Sequence, residues 1–124
     1  MRQVIQLLLI STILISAGDC GRDKATSHKG RLEIKALCMN YTVSFVSDPP
    51  DTSLVAATWT DETTGKSYNN VFKLGSPCNF PADINAGDEF FFEIDTTKPE
   101  KNCMVCMAYY PVPPKTLSIR VVKK

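Results

Sequence analysis

The sequence predicts an all-β protein that forms a small antiparallel barrel of five or six strands, or a sandwich, after an N-terminal signal peptide. Eight prolines among 124 residues and short stretches of alternating apolar and polar residues indicate strands joined by turns. No amphipathic helical period of useful length follows the N-terminal run. The length provides for one domain with one core. We therefore expect a single β-domain over residues 31–124.

Residues 1–18 have the features of a signal peptide. Arg2 supplies a positive charge at the start, and the apolar run over residues 4–15 is too short to span a bilayer comfortably. Small residues at positions 16–18 suit a signal peptidase, so the mature chain is expected to begin at Asp19. The sequence thus predicts export.

Residues 19–30 are predicted to form a flexible tether, and Cys20 decides what the tether is attached to. A cysteine just after an apolar run that ends in small residues resembles the lipid-attachment site of bacterial lipoproteins, although Asp19 departs from the small residue expected there. Two localisations stay open: lipid-anchored in the periplasm or at the outer membrane, or secreted. We expect no membrane contact except through that lipid. His28, the only histidine, is expected to be solvated in this tether.

The first strand is predicted to be long and kinked. Leu32 and Ile34 share one parity, whereas the apolar residues over 37–45 share the other. A slip of one residue within a strand is typical of a β-bulge, which we expect near residues 36–38. Two prolines at positions 49–50 end the strand, because proline lacks the backbone donor that a sheet needs.

Two strands joined by a hairpin follow. The second strand is predicted over residues 54–60 and the third over residues 67–74. The intervening loop, residues 61–66, contains Gly65, which suits a left-handed backbone position. The inward side chains of the two strands are expected to be Val55, Ala57, Trp59, Tyr68, Phe72 and Leu74.

The fourth strand, over residues 89–95, shows the clearest alternation. An irregular segment over residues 78–88 precedes it, and a polar loop over residues 96–102 follows it. The last strand comes after the cysteine-rich stretch that begins at Cys103. The inward side chains of these two strands are expected to be Phe90, Phe92, Ile94, Leu117, Ile119 and Val121.

Three of these stretches resemble motifs that recur in small uncharacterised exported bacterial proteins with an OB-like barrel. The motifs are a strand of the type NxFxL, a strand of the type GDEFxFxI and a closing strand of the type LSIxVV. The matching residues are Asn70, Phe72, Leu74, 87–92 and 117–122, and the resemblance covers about half of the mature chain. It implies an OB-like fold and brings no activity with it.

Five cysteines in a short chain with an export signal indicate an oxidising compartment. Four of them are expected to form two disulfide bonds, with three possible connectivities. We favour long-range pairing of Cys38 and Cys78 with Cys103 and Cys106, because bonds that close long loops stabilise most. Lipidation of Cys20 would leave four cysteines, an even number that two disulfide bonds can use completely. A zinc site made by the same four residues is a weaker alternative, since an oxidant would reach the thiols first.

Cys103 and Cys106 also have the C-x-x-C spacing of thiol-redox proteins, and Met104 and Met107 beside them are soft ligands that suit copper(I). A reactive C-x-x-C pair lies at the start of a helix, and no helix is predicted here. Adjacent strand residues also point to opposite faces, which keeps these four side chains from converging. A thiol-redox or copper-handling protein is therefore the alternative function, and no cofactor is expected.

The remaining polar residues predict neither catalysis nor nucleic-acid binding. The formal net charge is +1, and the basic residues are scattered. A nucleophile with a base would require His28 to fold back from the tether. Glu93 and Asp95 are expected on the solvated face of their strand, and Asp61 and Glu62 in a loop where nothing perturbs them.

Aromatic side chains are the remaining candidates for function, because they offer rigid contact area at low entropic cost. The residues expected to contact a partner are Trp59, Tyr68, Phe91, Tyr109 and Tyr110. The sequence thus predicts an exported, non-catalytic β-module with a binding or structural role. Its partner would be a component of the cell envelope or of the extracellular space.

Overall fold

The computed structural model describes residues 26–97 and 106–122. The predictions on the signal peptide, on Cys20 and on Cys103 lie outside these residues. The regular elements of the described chain are strands and short 3-10 turns, and none of its helices is long and apolar enough to cross a membrane. The predicted all-β class is confirmed. The strands are β1 (His28–Lys35), β2 (Tyr41–Phe45), β3 (Ala56–Thr60), β4 (Ser67–Leu74), β5 (Glu89–Ile94), β6 (Thr116–Leu117) and β7 (Ile119–Val122).

These strands belong to one sheet with the order β3-β4-β2-β1-β5-β7, and β6 pairs with β4. Neighbours in this order are antiparallel, whereas the β4–β6 pair is parallel. Only Ser118 separates β6 from β7, so a single C-terminal segment pairs with both β4 and β5. The pairing fits both architectures that the sequence left open, the barrel and the sandwich.

β1 and β2 form a tight hairpin where the sequence predicts one kinked strand. Lys35 lies opposite Tyr41 at the closed end of the hairpin. A 3-10 turn, Leu37–Met39, connects the strands, and the φ angles of Cys38 and Met39 are 57° and 56°. Left-handed backbone at two successive residues reverses the chain direction. The predicted bulge is therefore wrong at this place, because the change of parity marks a turn.

β1 begins earlier than predicted, at His28. The His28 ring lies 5.5 Å from the Phe45 ring and 5.7 Å from the Phe92 ring, so it is not a solvated linker residue. Gly30 provides the space for this packing, because a Cβ atom there would lie 2.7 Å from the Phe92 ring. The last residues assigned to the tether thus belong to the sheet.

The β3–β4 hairpin follows the prediction closely. β4 has the predicted bounds, and Gly65 has a φ of 73° in the loop. β3 begins two residues later than predicted, because the Asp51 side chain caps a 3-10 turn, Thr52–Leu54. Ala57, predicted to point inward, is exposed, whereas Trp59 is half-buried.

The core lies between β1, β2, β4, β5 and the C-terminal segment. Its centre is aromatic, with the Phe45 ring 5.1 Å from the Phe92 ring in edge-to-face contact and 5.6 Å from the Phe72 ring. The alternation therefore identified the buried faces of β4, β5 and the last strand correctly. The buried members are Leu32, Val43, Phe45, Val55, Phe72, Leu74, Phe90, Phe92, Leu117 and Ile119.

Candidate binding site

Two loops that are distant in sequence are joined by a disulfide bond. The first is the β1–β2 turn, residues 36–40, and the second is the segment over residues 106–115, which leads into β6. Cys38 and Cys106 form the bond, with Cα atoms 4.9 Å apart and a sequence separation of 68. The expectation of a disulfide bond is confirmed. The bond holds the C-terminal segment against the first hairpin.

The β1–β2 turn has a conformation that ordinary side chains adopt at a cost. Left-handed backbone at Cys38 and Met39 costs on the order of 1 kcal/mol or more for each residue. Asn40 helps to hold the turn, since its Nδ2 donates to the carbonyl of Leu37 at 3.1 Å and to that of Ala108 at 3.0 Å. Backbone strain of this kind persists where the surroundings hold it, and it is common at functional sites.

Four large apolar side chains stand exposed around the disulfide bond. The exposed fraction is 60% for Leu37, 38% for Met39, 97% for Met107 and 84% for Tyr109. We call these four residues the apolar rim. Single exposed apolar residues are ordinary, but a group of them on adjacent loops marks an interaction surface. Methionine suits such a surface because its flexible side chain adapts to different partners.

A pocket of about 580 Å³ opens beside the apolar rim. It lies between the β1–β2 turn, the end of β4 and the C-terminal segment. Lys73 of β4 is the charged residue in the described lining, and no Asp or Glu occurs there. The apolar side chains that line it include Met39, Leu74, Pro77, Met107, Tyr109 and Val112.

A buried carboxylate anchors one wall of this pocket. The hydroxyl of Tyr110, which lines the pocket, donates to Oδ2 of Asp61 at 2.8 Å. Asp61 is only 1% exposed, and its Oδ1 accepts hydrogen bonds from the backbone and the hydroxyl of Thr63 at 2.8 and 2.7 Å. Burial raises the pKa of Asp61, but the hydrogen bonds from Thr63 and Tyr110 outweigh burial and lower it overall. The prediction that nothing perturbs Asp61 is wrong.

Trp59 and Tyr68 stack on the hairpin that carries Asp61. Their ring centroids are 6.1 Å apart, with an interplanar angle of 26°. Nζ of Lys66 lies 5.0 Å from the centroid of the Tyr68 ring, within the range of a cation–π contact. Burial, followed by the negative charges of Glu33 and Asp61, raises the pKa of the Tyr68 hydroxyl. Both rings are half-buried.

Phe91 lies apart from the other aromatic candidates. It is half-buried on β5, opposite Lys29 of β1 and Val122 of β7. Nζ of Lys29 lies 6.0 Å from the centre of its ring. Among the five aromatic residues that the sequence predicts, Tyr109 and Tyr110 line the pocket.

The remaining predicted cysteines add no metal or thiol site to the described part of the chain. Cys78 is also disulfide-bonded, whereas Cys20 and Cys103 lie outside the described residues. Within residues 26–97 and 106–122, no group of three or more His, Cys, Asp or Glu side chains is placed to hold a metal ion.

Glu93 and Asp95 take part in local contacts. Oε2 of Glu93 accepts a hydrogen bond from the guanidinium of Arg120 at 2.6 Å. Hydrogen bonds from the hydroxyl and the backbone of Thr97 lower the pKa of Asp95. The first contact joins β5 to β7, and the second holds the loop that follows β5.

Sequence reasoning missed most of the site. The alternation of apolar residues places Leu37 and Met39 within a strand. Met107 is predicted only as a copper ligand beside the C-x-x-C pair. Nothing in the pattern distinguishes Lys73 from the other lysines. One signal for the turn was available, because Asn40 follows the change of parity and asparagine is common in turns.

No protein family model, no curated protein and no solved structure matches this chain.

Proposed function

We propose that this protein is an exported, non-catalytic β-module that binds a partner at the cell envelope or outside the cell. The single observation that carries the proposal is the apolar rim around the Cys38–Cys106 bond. Four exposed apolar side chains lie on two covalently joined loops. Burial of these side chains against a partner lowers the free energy of the complex.

The support beneath the rim favours a binding role over a purely structural one. The disulfide bond, the Asn40 amide and the Asp61–Tyr110 hydrogen bond hold both loops in place before any partner arrives. A surface that is already ordered loses less conformational entropy on binding. A loop with no binding role has no comparable reason to hold the exposed Met39 side chain on strained backbone.

Export remains part of the proposal and is supported by the signal-peptide pattern that the sequence predicts over residues 1–18. A disulfide bond is weakly consistent with an oxidising compartment. Lipid anchoring at Cys20 and simple secretion are the two forms that this export can take. Intact mass of the mature protein distinguishes them, because acyl chains on Cys20 add a characteristic mass.

The alternative, a thiol-redox or copper-handling protein, has less support. Cys106 is bonded to Cys38, which removes one of the two thiols that a working C-x-x-C pair with Cys103 would need. Nothing among the described residues favours this second function, and we do not propose it.

Site-specific photo-crosslinking in the native host tests the binding role. A photoreactive amino acid replaces Met107 in the apolar rim, and Asp48 serves as the control position. Asp48 is exposed and follows β2, at the opposite end of that strand from the β1–β2 turn. We expect a discrete cross-linked adduct from position 107 and none from position 48. Equal cross-linking at both positions, or none at 107, contradicts the proposal.

A further inference from the structure

The pocket beside the apolar rim has the size and lining of a small-molecule site. Its volume of about 580 Å³ falls within the range of roughly 300–1,000 Å³ that is typical of ligand pockets. Such sites are lined mainly by apolar side chains, with a few polar groups that orient the ligand. The described lining has this composition.

Lys73 supplies the positive charge in the described lining of the pocket. No carboxylate among the described residues forms an ion pair with Lys73, whereas Lys29, Arg31 and Arg120 each have such a partner. An ammonium group beside apolar walls attracts an anion more strongly than it would in open water.

The backbone around Lys73 is held by its neighbouring strands, so the place from which its side chain extends is defined. Lys73 lies in β4 between Thr42 of β2 and Thr116 of β6. Its backbone N–H donates to the carbonyl of Lys115 at 2.7 Å. A binding group that is carried by a paired strand is held more accurately than one on a free loop.

Two of the other polar side chains of the lining, Asn40 and Tyr110, are already engaged. Both contacts of the Asn40 amide nitrogen go to backbone carbonyls, and the Tyr110 hydroxyl donates to Asp61. A ligand with many hydrogen-bonding groups, such as a sugar or a nucleotide, would therefore leave several of them without partners, which costs free energy. A ligand with one anionic group and an otherwise apolar body avoids this cost.

We propose that this pocket binds a small amphipathic carboxylate, with its head group at Lys73 and its apolar body between the side chains of Met39 and Met107. Flexible methionine walls suit a flexible hydrocarbon chain. This inference rests on the proposed binding function, because it assigns a ligand class to the same site.

Calorimetric titration with three ten-carbon probes below their micelle-forming concentrations tests the inference. Decanoate carries a negative head group, decanol a neutral one and decyltrimethylammonium a positive one. We expect saturable binding of decanoate, at least about tenfold weaker binding of decanol, and still weaker binding of the cation. Equal binding of decanoate and decanol overturns the assignment of Lys73 to the head group.

Three variants separate the role of Lys73 from general effects of charge. Lys73→Gln is expected to weaken decanoate binding about tenfold, and Lys73→Arg to retain it. Lys66→Gln, on the exposed β3–β4 loop, is the matched control and is expected to bind as the unchanged protein does. Circular dichroism verifies that each variant is folded. Unchanged binding by folded Lys73→Gln overturns the proposal.

The test also distinguishes this inference from the proposed function. If none of the probes binds while position 107 still yields a cross-linked adduct, the ligand class is wrong and the binding function stands. If neither experiment gives a positive result, both are wrong.

Discussion

Tyr110→Phe removes the hydroxyl through which the C-terminal segment contacts Asp61. That hydroxyl donates to Oδ2 at 2.8 Å, and the carboxylate is buried. A hydrogen bond to a charged group contributes about 1.5–3 kcal/mol to stability. Because Thr63 still donates two hydrogen bonds to Oδ1, we expect a loss near the lower end, about 1.5–2 kcal/mol. This corresponds to an unfolding constant that is roughly tenfold to thirtyfold larger.

The loss is expected to depend on pH. Although burial raises the pKa of Asp61, the hydrogen bonds from Thr63 and Tyr110 lower it overall in the folded state. The stabilisation from this carboxylate is therefore complete above the unfolded-state pKa of about 3.9, and it is lost as the pH falls through the lower folded-state value. Tyr110→Phe raises the folded-state pKa, so it destabilises more at neutral pH than at strongly acidic pH.

Urea unfolding followed by circular dichroism measures both effects, as a shift of the midpoint with an unchanged slope. Tyr109→Phe is the matched control, because Tyr109 is exposed and its loss should change stability by less than about 0.5 kcal/mol. In an Asp61→Asn background, Tyr110→Phe is expected to cost less and to lose its pH dependence. An equal loss in both backgrounds would refute the role of Asp61.

Three further predictions concern the disulfide bonds and the packing of β1. Replacing Cys38 and Cys106 together by serine is expected to lower the free energy of unfolding by about 4 kcal/mol in the chain-entropy model, since the bond spans 68 residues. Thermal unfolding without reductant measures this loss, and an unchanged midpoint would contradict the prediction. Gly30→Ala is expected to cost about 1–3 kcal/mol, because the new methyl group would lie 2.7 Å from a buried phenylalanine ring; chemical unfolding tests this, and a neutral result would mean that the ring moves aside. Peptide mapping without reduction is expected to yield a disulfide-linked peptide that contains Cys78 and Cys103. A linked peptide that contains Cys78 and Cys20 instead would exclude this pairing.

Features carried by neighbouring residues could be predicted from the sequence. Alternation places Phe72 in β4 and Phe92 in β5 on the buried face, because successive strand residues point to opposite sides of a sheet. The left-handed position of Gly65 follows in the same way from the hairpin sequence around it.

The first hairpin shows where such local reasoning ends. A one-residue change of parity before Tyr41 is compatible with a bulge in a continuous strand and with a reversal of the chain. The two differ in the φ angles of Cys38 and Met39 and in the disulfide bond that holds the turn. A bond to a residue 68 positions away leaves no trace in the local pattern.

The sequence by itself determined the all-β class, the buried faces of β4, β5 and the last strand, and the expectation of disulfide bonding, because alternation and cysteine number are local or compositional properties. Only the tertiary structure decided which loops meet. The burial of Asp61 depends on Tyr110, and the environment of Lys73 depends on the C-terminal segment that pairs with β4. These contacts follow from the order of strands in the sheet, which is set by the packing of the whole core and not by any one stretch of residues.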